Sequence, residues 1–93
     1  MKQYNYPIDA DWSMEEIIDV TNFFNRIEDA YEAEVKAEDV LSSYRAFKKV
    51  VPSKAEEKTL FRQFAADSGY ESYPVVKRAQ EGISPITMKE ERH

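Results

Sequence analysis

Cysteine is absent from this 93-residue chain. Its absence excludes a disulfide scaffold, cysteine-ligated zinc, iron–sulfur clusters and thiol catalysis. Histidine occurs once, as His93 at the end of the sequence, where a preorganised catalytic base is not expected. Without further histidines, a di-iron bundle built on Glu-x-x-His pairs is excluded too. Glycine occurs only at Gly69 and Gly82, and a phosphate-cradling loop needs clustered glycines. No apolar run approaches the roughly 20 residues of a membrane span. The first eleven residues are polar and carry Pro7, unlike a secretory signal. The expectation is a cytoplasmic protein with no membrane association, no metal and no cofactor.

What is present is aromatic and charged. Five Phe, six Tyr and one Trp supply a core for a chain that buries only about 60–65% of its unfolded surface. Length permits a single domain. The net charge is −5, distributed unevenly. Residues 1–39 hold three basic and eleven acidic groups, and residues 40–93 hold ten basic and seven acidic ones. Such polarity either orients a partner or pairs the two parts within the fold.

Helix punctuation is explicit. Residues 1–12 read as an extended arm with Tyr4, Tyr6 and Ile8 alternating with polar residues, and Pro7 holding Tyr6 from helical angles. Ser13 to Glu16 has the form of a capping box, and Trp12 and Ile17 have the spacing of a hydrophobic staple. Ile17, Val20, Phe24, Ile27 and Tyr31 then recur at helical spacing, which predicts a first helix over about 14–33. After a link at 34–36, Val40, Tyr44, Phe47 and Val51 form one face of a second helix, which Pro52 stops. Ser53 to Glu56 is a second capping box, opening a third helix with Leu60, Phe61, Phe64 and Ala65 buried. Gly69 is suited to end it with positive φ. Ser72 is the expected cap of a short fourth helix, with Pro74 in its first turn and Gly82 at its end. Residues 83–93 read as a flexible tail. No hairpin dipeptide such as Asn-Gly supports a strand.

The chemistry-bearing patterns mostly dissolve into this punctuation. Asp9 to Ser13 begins like a calcium loop, but Met14 and Val20 stand where its glycine and bidentate glutamate belong. Glu16, Asp19, Glu28 and Asp29 read as a solvated acidic face of the first helix instead of an acid–base pair in a cleft. No catalytic residue is therefore expected. The basic residues are harder to absorb. Lys54, Lys58 and Arg62 are spaced by four, as are Arg45 and Lys49, and like charges so placed destabilise an isolated helix mildly. Acids of the first helix or an external anionic partner should offset them. Tyr70 and Tyr73 are expected half-exposed around the last turn, either sealing the bundle end or meeting a partner. Nucleic-acid binding is disfavoured, because Glu56 and Glu57 occupy the first turn where base contacts would be made and the net charge is negative.

Tyr6-Pro7-Ile8-Asp9 with Trp12-Ser13, Tyr44-Arg45 with Phe47-Lys48, Val51 to Lys58, and Ser68-Gly69-Tyr70 with Tyr73 together resemble a family of small proteins from low-GC Gram-positive bacteria, the uncharacterised protein family number 0223. The resemblance spans roughly residues 4–80 and implies an all-helical cytosolic protein. It brings no activity, cofactor or catalytic residue.

The reading is thus an all-α fold: three main helices, a short fourth and an N-terminal arm, with residues 1–82 as one domain. Functionally, a non-enzymatic interaction module is expected, binding another protein or itself through Arg45, Lys49, Lys54, Lys58, Arg62, Tyr70 and Tyr73. The alternative is a nucleic-acid-associated protein using the same basic residues.

Overall fold

Four helices, α1 (Met14–Glu32), α2 (Ala37–Val50), α3 (Lys54–Ser68) and α4 (Tyr73–Gln80), make up the fold. The computed structural model describes residues 6–88. Tyr4 of the arm and the charged run 89–93 lie outside the described residues.

Local sequence dictates where α1 starts. The Ser13 hydroxyl accepts from the Glu16 amide and the Glu16 carboxylate accepts from the Ser13 amide, at 3.2 and 2.8 Å. The stretch resembling a calcium loop is a turn feeding this cap: Asp11 N–H donates to the Asp9 carboxylate and Trp12 N–H to the Asp9 carbonyl. At α3 only half of the expected box forms. Ser53 accepts from the Glu56 amide at 3.3 Å. Gly69 ends α3 at φ 82°. Beyond α4, Gly82 at φ 81° allows Gly82 N–H to reach the Ala79 carbonyl and Ile83 N–H the Arg78 carbonyl, a Schellman closure. The Ser72 cap does not form. Ser72 precedes α4, but its backbone is already helical, so its hydroxyl makes no capping bond and is buried without a partner among the described residues.

α2 packs against both α1 and α4. Side chains of α1, α2 and α3 meet in an aromatic core, with Phe23 against Phe47 at 4.8 Å between ring centroids and Phe24 against Phe64 at 4.5 Å. Each such fully buried ring contributes on the order of 2–3 kcal/mol through apolar burial. The arm joins this cluster: Tyr6 stacks on Phe24 and Phe64, and its hydroxyl donates to Glu28 at 2.8 Å. Trp12 also packs on the core.

The tail expected from residue 83 is corrected by the packing of residues 83–88. Ile86 and Met88 are buried, Val35 and Ile86 exchange both backbone hydrogen bonds, and Met88 N–H donates to the Ala30 carbonyl. Ser84 Oγ accepts from the Ala37 amide at the start of α2. The cause is apolar: the segment carries two large hydrophobic side chains that fill the space beside the C-terminal end of α1. The domain therefore extends past residue 82.

Candidate functional site

The site is built on α3. Pro52 breaks the chain after α2, and Ser53 restarts it with a side-chain cap. One face of α3, Leu60 and Phe64, goes into the core, and Glu57 falls on the same face. Its neighbouring row, Lys54, Lys58 and Arg62, is exposed. Among the described residues none of these three cations has a carboxylate within ion-pair distance, so the offset expected from first-helix acids does not form. Lys54 also stands at the first position of α3, where the helix dipole disfavours positive charge. The row thus carries a cost that no ion pair among the described residues offsets.

Beside this row lies a groove of about 650 Å³. Lys54, Lys58 and Arg62 line it, with Tyr44 and Phe61 contributing aromatic surface. Tyr73, the first residue of α4, projects into it with 59% of its surface exposed. Glu57, Ala65, Glu71 and Gln80 complete the lining. Arg45 and Lys49 are exposed on α2 but stand outside the groove, so the two basic rows do not merge into one site.

Two polar groups at the groove, Tyr44 and Glu57, are internally engaged. Glu57 is only 7% exposed; its Oε2 accepts from the Tyr44 hydroxyl at 2.9 Å and its Oε1 from Lys48 Nζ. The burial of Tyr44, reinforced by the Glu57 carboxylate facing it, pushes the phenol up to about 12. Tyr44 is therefore a neutral hydrogen-bond donor, not a base. Sequence reasoning missed Glu57, reading it as an acid of a first helical turn. The signal was available: Glu57 precedes Leu60, Phe61 and Phe64 by three, four and seven residues, which places it on the apolar stripe.

Tyr70 is corrected. It is 1% exposed, stacked on Tyr31 at 4.6 Å and 5° between rings, and its hydroxyl donates to Glu32 at 2.7 Å. Tyr31 in turn donates to the Glu71 carbonyl. The turn at Gly69 sends the chain back over the end of α1, so Tyr70 seals the bundle and leaves the surface to Tyr73.

The acids of α1 do not converge. Glu16 is spent in the cap, Asp29 pairs with Arg26 at 3.0 Å, and Glu28 accepts from Tyr6. Desolvation raises the Glu28 carboxyl above its ordinary value, against the lowering effect of the Tyr6 bond. Asp19 lines a separate shallow groove with Asn22, Arg26 and Asp39. Among the described residues no group of three or more His, Cys, Asp or Glu could hold a metal, and no helix is long and apolar enough to cross a membrane.

Residues 3–85 match the family described as "Uncharacterised protein family (UPF0223)". A UPF0223 protein of Oceanobacillus iheyensis is 62% identical over 78 residues, covering 84% of this chain and 89% of the relative. One from Lysinibacillus sphaericus is 52% identical over 87 residues, covering 94% and 92%. Another, from Streptococcus pneumoniae, is 54% identical over 80 residues, covering 86% and 87%. A match across nearly the whole chain, and identities above one half to relatives of similar length, make this protein a member of the uncharacterised protein family UPF0223.

Proposed function

We propose that this chain is a non-enzymatic cytoplasmic interaction module whose contact surface is the groove beside α3. The observation that carries the reading is the row Lys54, Lys58 and Arg62, exposed and without an ion-pair partner among the described residues, set beside the aromatic surface of Phe61 and Tyr73. Exposed cations next to accessible aromatic rings are the composition of an interface core with a charged rim. A non-enzymatic reading is supported by Glu57, which is buried and spends its two oxygens on intramolecular bonds from Tyr44 and Lys48.

The test is capture from a nuclease-treated native bacterial lysate, comparing the tagged wild-type chain with the double variant Lys58→Glu/Arg62→Glu. A protein recovered by the wild type and lost from the variant is the expected result. Equal recovery by both would remove the groove from consideration. Nucleic-acid binding is a second reading, favoured by the exposed Arg45 and Lys49 that carry positive charge onto α2. It predicts capture abolished by nuclease and an affinity falling steeply with salt, with a log–log slope of about 0.9 per phosphate contacted.

A further inference from the structure

We infer that the occupant of the groove is an acidic amphipathic helix of another protein, its carboxylates facing α3 and a large apolar side chain seated against Phe61, Tyr44 and Tyr73. This rests on the reading of the groove as a binding surface and adds the chemistry of the partner.

Spacing comes first. Lys54, Lys58 and Arg62 follow one another at four-residue steps on a regular helix, which places successive cations about 6 Å apart along an axis of about 12 Å. Carboxylates at positions i, i+4 and i+8 of a second helix repeat that interval, so each cation meets one acid. An extended segment can also space its acids at about 6–7 Å, since same-side residues alternate. It would, however, leave its backbone to water or need a sheet edge to pair it. Among the described residues there is no strand, and the single bridge, between Val35 and Ile86, is internal to the chain. A helix satisfies its own backbone and brings only side chains to the groove.

Shape and polarity come next. A volume of about 650 Å³ is within the range of sites that take apolar groups with a few polar anchors. The ring surface of Phe61 and the exposed Tyr73 offer contact to an aliphatic or aromatic side chain. Charge within the groove is not uniform. Glu71 lines it as well, and an acid placed against Glu71 would be repelled. The partner's acidic edge must therefore lie along α3, which fixes its orientation. The net charge of −5 opposes an acidic partner at long range, whereas contact with the row favours it at short range. Binding should accordingly weaken less with salt than binding to phosphates does.

The experiment is selection from a random-peptide display library on the immobilised full-length protein, with counter-selection against folded Lys58→Glu/Arg62→Glu. Enriched peptides should carry two or three acids at four-residue spacing beside a large apolar residue. Measured by fluorescence anisotropy, such a peptide should bind the double variant about tenfold or more weakly and Tyr73→Ala severalfold more weakly, while Glu71→Lys should relax the orientation preference. Circular dichroism confirms that each variant is folded. Neutral or basic peptides that still require the groove would overturn the acidic partner and leave the binding surface standing. Enrichment that ignores the variant would overturn both. An oligonucleotide that displaces the peptide at lower concentration, or light scattering in which the wild-type mass exceeds one chain and the variant's does not, would give the groove to nucleic acid or to a second copy and likewise overturn the inference.

Discussion

Tyr70 and Tyr73 stand three residues apart, yet one is 1% and the other 59% exposed. The regions they belong to differ in the same way. Around Tyr70, the C-terminal end of α1 is closed over by the stacked Tyr31, by the Glu32 carboxylate and by the returning residues Ile86 and Met88. Around Tyr73, the Glu57 carboxylate is just as well bonded, but an open groove lies beside it, with three cations that have no ion-pair partner among the described residues. Both regions use a tyrosine hydroxyl to hold a glutamate. At the closed end the arrangement finishes the core, and at the groove it fixes a floor beneath a surface left unfinished. The difference teaches that burial alone does not distinguish a closed end from an open surface here; what lies next to the buried group does.

Substitution should separate the two regions. Tyr70→Ala removes a fully buried ring and leaves Glu32 without that donor, and it should cost about 3–5 kcal/mol. Tyr73→Ala should change stability by less than about 0.5 kcal/mol. Chemical denaturation of both variants checks the contrast, and equal losses would erase it. Ile86→Ala should cost about 2–4 kcal/mol, because its side chain is fully buried in the core. A thermal midpoint unmoved by that change would return residues 83–88 to the status of a tail.

On the groove side the effects are smaller and electrostatic. Glu57→Gln leaves Lys48 without its counter-charge and should cost about 2 kcal/mol, less than a wholly buried pair because Lys48 stays partly in water. Tyr44→Phe should cost about 1–1.5 kcal/mol at neutral pH. The folded protein holds the Tyr44 proton to about 12, above its ordinary value of 10.0. The phenol's contribution is therefore complete below the ordinary value and is lost as pH rises through the folded one. The gap between wild type and Tyr44→Phe should narrow across that window when denaturation is followed at rising pH.

The smallest effect is expected at Glu28. Burial raises its pKa, with Glu32 and Asp29 adding to the rise. Its ionised form is thus disfavoured by folding: stability is greatest below the ordinary carboxyl value and falls as pH rises through the higher folded one. Glu28→Gln should stabilise at neutral pH by roughly a few tenths of a kcal/mol, the group being partly solvated. The gain should vanish in acid, where the wild-type carboxyl is protonated in both states.

Features set by neighbours in the chain were legible in the sequence. Ser13 with Glu16, Pro52, Gly69 and Gly82 mark helix ends through local geometry, and the helices start and stop there. The row on α3 was readable as well, since a four-residue interval is a property of the helix itself. Features set by distant contacts were not. Tyr70 owes its burial to Tyr31 and Glu32 of another helix, and Ile86 to Val35. Ser72 looked like a cap by residue type, but the preceding turn already holds it in helical angles. Glu57 lies between these cases: its place on the apolar stripe was visible, whereas the Tyr44 and Lys48 side chains that make its burial tolerable were not.

The pairing of Val35 with Ile86 joins positions about fifty residues apart, whereas consecutive helices meet across short turns. Closing so wide a loop costs more chain entropy than forming a helical hairpin. The helices should therefore associate first and the segment 83–88 dock afterwards, and it should be the first part to let go. In native-state hydrogen exchange the amides of Val35, Ile86 and Met88, which hold this segment in place, should open at lower free energy than the middle of α1. The last piece of the core to arrive is then also a seam along which the molecule loosens without unfolding.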